Sequence, residues 1–273
     1  MSDTLLPTYF LSHGGGPWPW MMDQYNGAYD KLAASLRDIP RQLGARPAAV
    51  LVVTAHWEGR ELLLSASPKP PMVYDYGGFP PHTYRIQYPA PGSPALAQRA
   101  KALLDGAGHP AALDHERGFD HGTFSALYPV YPDADVPIVQ LSLQHGLNPL
   151  THLQIGRALA PLRREGILIV GSGLSYHNLR QFGAAGAAAS RQFDAWLRHA
   201  LTLAPQPRTA QVLAWEQAPA ARQAHPREEH LLPLMVALGA AEDEAATTVY
   251  HEEDFFGALA VSSFRFGAAP GAA

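Results

Sequence analysis

Three short apolar runs constrain this chain more than any other feature, because each is followed within a few residues by a histidine. Thr8-Tyr9-Phe10-Leu11 leads through Ser12 into His13, three glycines and Pro17. Ala48 to Thr54, AAVLVVT, leads into Ala55-His56-Trp57-Glu58. Ile167 to Val170 leads through Gly171-Ser172-Gly173 to Tyr176-His177-Asn178. Short continuous apolar runs bounded by turn residues read as strands buried on both faces, the kind found in parallel sheets covered by helices. Ligands of such sheets bind outside the carboxyl ends of the strands. His13, His56 and His177 are therefore expected to meet at one end of one sheet.

The segments between these runs supply the covering helices. Leu32, Leu36, Ile39 and Leu43 recur at helical steps over 30–43, with Pro40 bending or ending the helix. Ser93 and Pro94 suit the cap and first position of a helix over 95–104. Residues 150–164, 193–203 and 231–238 read as further helices, the last kinked or started by Pro233. Residues 61–65, 136–143, 247–250 and 259–266 read as strands. Residues 184–189 read as a surface connection and 267–273 as a frayed tail. Residues 68–94 have no period, but their aromatics argue for an ordered loop near a site. No repeat or linker divides the 273 residues, so the expectation is one α/β domain over 1–273.

Composition limits the chemistry. With no cysteine, a metal here has only His, Asp and Glu to bind it. A net charge of −4 gives no basic surface for nucleic acid or anionic lipid. No apolar run reaches the length of a membrane span, and no basic-then-apolar leader opens the chain, so a cytoplasmic protein is expected.

Two more histidine settings stand out. His121 lies in a glycine-framed turn, Gly118-Phe119-Asp120-His121-Gly122. His225 and His230 precede the last apolar helix; on one helix, five residues would set them about 140° apart, too far to share an ion. Histidines without cysteine suit Zn(II) or Fe(II). His82, His109, His115, His145, His152, His199 and His251 read as solvated or structural. The glycines after His13 look like an esterase oxyanion turn, but no serine sits in a Gly-x-Ser-x-Gly elbow. The dinucleotide fingerprint fails at Tyr176, and Walker A and His-Glu-x-x-His sequences are absent.

The segments SHGGGP (12–17), VVTAHW (52–57), YDYGGFP (74–80), YPAPGSPALAQR (88–99), GFDHG (118–122), DADVPIVQLSL (133–143), SGLSYHNLR (172–180), EEHLLPLMVALGA (228–240) and SSFRFG (262–267) together resemble the LigB-type (class III) extradiol ring-cleavage dioxygenases, above all their 4,5-DOPA dioxygenase branch. One departure is His-Gly-Gly-Gly-Pro-Trp where many relatives have His-Gly-Ser-Pro. The resemblance implies a three-layer α/β/α domain with a mixed central sheet and a mononuclear metal. It implies His13, His56 and His230 as ligands, and His177 as a fourth ligand or as the acid–base. It implies His121 as a contact to substrate or oxygen. Fe(II) is the implied catalytic metal, with Zn(II) a frequent occupant. The implied reaction opens a catechol ring next to the diol with O2, to a muconic-semialdehyde-type product. The partners expected are thus a small aromatic diol and O2, not nucleic acid or membrane, with the chain a monomer or small homo-oligomer. The glycines after His13 would keep backbone away from the open side of the metal. Tyr74, Tyr76, Phe79, Trp18 and Trp20 would stack on the substrate or merely pack the loops. A zinc-dependent hydrolase on the same histidines, and a non-catalytic small-molecule-binding protein, are the competing readings.

Overall fold

A computed structural model describes residues 5–269 and 271. Eight strands form one sheet: β1 (Thr8–Ser12), β2 (Ala49–Gly59), β3 (Leu62–Ser65), β4 (Ala111–Asp114), β5 (Ile138–Gln144), β6 (Ile167–Gly173), β7 (Ala246–Phe255) and β8 (Leu259–Phe266). Their spatial order is β4-β3-β5-β2-β6-β1-β8-β7. The centre, β5-β2-β6-β1, is parallel, while β3 and β8 join its two sides antiparallel. The sheet is therefore mixed. The central strands bury every residue of their middles, as the uninterrupted apolar runs require.

Nine α-helices surround the sheet among the described residues: α1 (Asp30–Arg37), α2 (Ile39–Leu43), α3 (Pro94–Gly106), α4 (His121–Leu127), α5 (Pro149–Leu159), α6 (Ala187–Thr202), α7 (Pro205–Leu213), α8 (Ala221–Ala224) and α9 (Leu232–Gly239). Two successive residues of β1 show the layering. The Thr8 hydroxyl donates to the Ala237 carbonyl in α9 (2.6 Å), and the Tyr9 hydroxyl donates to Gln42 Oε1 in α2 (3.1 Å). Successive side chains of a strand point to opposite faces, so helices cover both. This is the expected three-layer α/β/α arrangement. Ser93 caps α3 by accepting from the Leu96 N–H, and Pro94 follows, as its sequence foretold.

Several boundaries differ from the sequence reading. β2 runs on through His56 to Gly59, and β6 continues through two glycines. β2 pairs with β5 at Val53↔Leu141 and again at Glu58↔Leu143, so the residues between them bulge out of the ladder. The apolar run ends where the bulge begins, which is why the strand seems to stop at Thr54. Residues 150–164 divide into α5 and a 3₁₀ segment, Ala160–Glu165, with Pro161 in its first turn. Helix α6 starts at Ala187, and Ala189 is buried, so 184–189 is not merely a surface connection. Strand β4, helix α4 and helix α7 carry no signal strong enough to be read from the sequence. Pro233 stands in the first turn of α9 and marks its start. Most of the tail reading falls outside the described residues; within it, the Gly267 amide bonds the Ala245 carbonyl (2.9 Å).

Loop 68–94 is ordered by its own tyrosines. Tyr74 donates to the Ile86 carbonyl (2.7 Å) and Tyr76 to the Thr83 carbonyl (2.6 Å). Its start docks on the segment before α4 through Val73 N–H to Phe119 O and Phe119 N–H to Pro71 O, both 2.8 Å. No helix among the described residues is long and apolar enough to cross a membrane.

Candidate metal centre

Three backbone devices bring the histidines to the carboxyl end of the parallel strands. His13 follows β1 directly, its N–H bonded to the Gly173 carbonyl of β6 (3.1 Å). His56 rides the bulge of β2. His230 arrives from the chain before α9, which lies close against β6. A β-carbon on Gly171 would stand 2.2 Å from the Pro233 carbonyl, and one on Gly173 would stand 2.1 Å from the His230 carbonyl. Only glycine at these two positions lets that chain approach, and the Leu174 N–H then holds the His230 carbonyl at 3.1 Å.

His121 opens α4. Asp120 caps that helix, accepting from the Thr123 N–H (3.2 Å) and the Thr54 hydroxyl (2.8 Å), with Arg117 Nη2 at 2.9 Å. Complete burial raises the Asp120 pKa, and Arg117 opposes that shift. His177 lies beyond β6, its N–H bonded to the Ala224 carbonyl (3.0 Å). Arg227 binds the Glu58 carboxylate through both guanidinium arms at 2.6 Å, fastening the segment before His230 to the far end of the β2 bulge.

Five of the histidines singled out from the sequence therefore gather in one place. His56 Nε2 lies 3.3 Å from His13 Nε2 and 3.2 Å from His230 Nε2. The His121 ring is 3.9 Å from that of His56, and the His177 ring stacks on His230 at 3.3 Å with 15° between planes. His225 does not join them. It is wholly buried between Phe193 and Trp215, and its Nε2–H donates to the Ser175 carbonyl at 3.0 Å.

The acceptor beside each Nδ1 indicates where the proton sits. His13 Nδ1 faces the Gly14 carbonyl (2.7 Å), an acceptor only, so Nδ1 carries the proton. His230 Nδ1 faces Glu229 Oε1 (2.9 Å), and His56 Nδ1 faces Asp75 Oδ2 (3.3 Å). A neutral imidazole has one N–H and one lone pair. With Nδ1 protonated in each ring, the His56 Nε2 lone pair meets that of His13 at 3.3 Å and that of His230 at 3.2 Å, with no proton between them. Burial, then the neighbouring histidines, holds the pKa of each well below the usual histidine range, so none takes up a proton to relieve the contact. A cation relieves it. Two imidazoles bound tetrahedrally at about 2.0–2.1 Å place their nitrogens about 3.3 Å apart. The donor set therefore fits a metal ion.

Two further groupings share these side chains. His13, His56 and His121 each bring one nitrogen within 4.8 Å of the others, as do the ligand atoms of His177, Glu229 and His230. His121 Nδ1 lies 2.9 Å from Asp75 Oδ1 and His177 Nδ1 3.2 Å from Glu229 Oε1. Asp75 and Glu229 were not singled out from the sequence. Burial would raise both carboxyl pKa values, but hydrogen bonds from His121 and His177 outweigh it and leave both lowered.

The space beside the glycines differs from expectation. A β-carbon on Gly14 would strike the Trp18 indole and Tyr29, and one on Gly16 would strike Phe79. The glycines make room for aromatic packing rather than for the open side of an ion. Trp18 is core, stacked on Tyr29 at 4.6 Å and donating to the His13 carbonyl (2.6 Å). Trp20 stacks on Tyr128 at 4.3 Å. Of the five aromatic candidates, Tyr76 has its ring nearest a site histidine, 6.0 Å from that of His121.

Known proteins resemble this chain over nearly its whole length. Residues 7–263 match the family model described as the catalytic LigB subunit of aromatic ring-opening dioxygenase. A 4,5-DOPA dioxygenase extradiol of Beta vulgaris is 37% identical over 271 residues, 97% of each chain. A 4,5-DOPA dioxygenase extradiol of Escherichia coli K12 is 38% identical over 273 residues, 98% of this chain and 97% of its own. The crystal structure of an uncharacterized E. coli K12 protein superposes with a TM-score of 0.76 at 32% identity, covering 96% of this chain and all of that one.

Proposed function

This chain belongs to the LigB family of aromatic ring-opening dioxygenases, and from that premise we propose that it is an Fe(II)-dependent extradiol dioxygenase of a catechol-type substrate. The observation that carries this reading is the convergence of the Nε2 lone pairs of His13, His56 and His230, each set by an acceptor on the opposite ring nitrogen. These three residues would hold the metal. A DOPA-like catechol is the first substrate to test, since the relatives in Beta vulgaris and E. coli carry that name.

When bound, the metal supplies a Lewis acid that acidifies a coordinated hydroxyl and a redox centre at which O2 reacts. The chain's own residues do the rest. His177 serves as the acid–base rather than as a fourth ligand. The His177 ring stacks on that of His230, with 3.3 Å between centroids and 15° between planes, and so stands beside the rings that would hold the metal. With Nδ1–H on Glu229, His177 Nε2 is free to take the second hydroxyl proton and to return it at ring opening. His121, whose Nδ1–H is held by Asp75, presents the Nε2 lone pair as an acceptor for a substrate hydroxyl. The buried rings restrict the water that would otherwise compete for those protons.

The test is anaerobic loading with Fe(II), followed by a panel of catechols and O2. Stoichiometric O2 uptake and a yellow ring-opened product are expected. If no catechol consumes O2, the reading fails. Ester or amide hydrolysis with Zn(II), without O2 uptake in the Fe(II) form, would replace it with a metallohydrolase.

A further inference from the structure

Two carboxylates divide four of the five site histidines between them, but they use different numbers of oxygens to do so. Asp75 uses both. Its Oδ1 accepts the His121 backbone N–H (3.0 Å) and the His121 Nδ1–H (2.9 Å), while its Oδ2 faces His56 Nδ1 (3.3 Å). Glu229 uses one. Its Oε1 lies 2.9 Å from His230 Nδ1 and 3.2 Å from His177 Nδ1. Its Oε2 has no hydrogen-bond partner, and only Arg227 Nη1 is near, at 3.6 Å.

Resting on the metal reading above, we propose that Asp75 and Glu229 are positioning residues. Each locks the tautomer of one metal-binding histidine and one proton-carrying histidine, and only Asp75 requires two acceptor oxygens to do it. The consequence is an asymmetry between two substitutions that remove the same charge. In Glu229→Gln the amide oxygen can take the place of Oε1 and accept from both histidines. The new NH2 then faces Arg227, which is half exposed and free to settle further onto Glu58. In Asp75→Asn one of the two positions becomes an NH2. With the amide oxygen kept by His121, that NH2 meets the His56 Nδ1–H, donor against donor. His56 escapes the clash by moving its proton to Nε2, which withdraws a lone pair from the metal. Loss of a carboxylate partner to a ligand histidine commonly weakens metal binding about 10–100-fold. Because both variants lose one negative charge near the ion, the electrostatic part of the effect is common to them, and the difference isolates the acceptor count.

The experiment titrates Co(II) into the metal-free full-length protein against a competing chelator, reading the visible bands of the bound ion. Urea unfolding of the metal-free forms establishes that each variant is folded. Asp75→Asn is expected to bind Co(II) at least about tenfold more weakly than Glu229→Gln, with altered bands, while Glu229→Gln keeps the wild-type spectrum. Equal weakening of the two, or a weaker Glu229→Gln, overturns the inference. Imidazole nitrogen NMR of the metal-free wild type tests it independently of any variant. His56, His121, His177 and His230 are expected to be protonated on Nδ1, and a His56 protonated on Nε2 overturns it. Wild-type protein that fails to bind Co(II), or His56→Ala that binds as the wild type does, removes the metal reading instead.

Discussion

His225 and His230 stand five residues apart in one connecting segment and are equally hidden from solvent, yet they are built for opposite ends. His225 keeps its proton on Nε2, because Nε2 faces the Ser175 carbonyl, and its Nδ1 has no partner. His230 keeps its proton on Nδ1, because Nδ1 faces Glu229, and its Nε2 lone pair points at His56. Around His225 are the rings of Phe193 and Trp215; around His230 are three more imidazoles. Burial and residue type are the same in both. The placement of one acceptor separates a fastening in the core from the proposed donor to an ion.

The sharpest way to break this contrast is His230→Ala. It is expected to lose stoichiometric metal on dialysis and to lower kcat/KM at least about 10³-fold, whereas a variant that retains one metal per chain would make the two histidines alike. His177→Ala sharpens it from within the site: metal content stays as in the wild type while turnover falls about 10²–10⁴-fold in O2-uptake assays. Loss of metal there instead would make His177 a ligand. His225→Leu is expected to keep metal and turnover but to lower stability by about 1–3 kcal/mol in urea unfolding, since the Ser175 carbonyl loses its buried donor. Metal loss in that variant would show that the segment is not divided as described.

The smallest effect is in the pH dependence. Burial, the largest cause, lowers the His225 pKa to about 3 against an ordinary 6.5. Above pH 6.5 the residue is neutral in both folded and unfolded chains and contributes nothing to the dependence. Below it the unfolded chain gains a proton that the folded chain refuses, so stability falls as pH falls, until the folded pKa is reached. At pH 5.5 the share of His225 is about 1.4 kcal/mol. Comparing wild type with His225→Leu in urea at pH 7.5 and 5.5 reads it directly; parallel losses in the two would refute it.

The same contrast explains what could be read from the sequence. His13, His56 and His177 are legible because each follows an apolar run whose strand assignment fixes an end of the sheet. His230 is not legible that way: spacing alone leaves it level with His225, and the family resemblance chooses it. Asp75 is hidden because its partners are 46 and 19 residues away and meet it only after loop 68–94 docks beside Phe119. Glu229 carried a weak signal, an acid directly before a candidate ligand. Strand β4 is four residues long at the margin of the sheet, where little is buried to leave a pattern. Helix α4 is masked by Gly122, which yields its side-chain space to Thr54 and His56. Gly171 and Gly173 looked like the end of a strand, yet they are its continuation, thinned to admit the chain that carries His230.

The bulge in β2 bears on how the proposed metal would come and go. The strand resumes its pairing at Glu58, and Glu58 is gripped by Arg227, so His56 is a span anchored on both banks rather than the tip of a free loop. If His56 holds the metal as proposed, it needs no ordering when an ion arrives. Loading and removal are then expected to proceed as exchange at a standing socket, on a timescale set by the ion and its water.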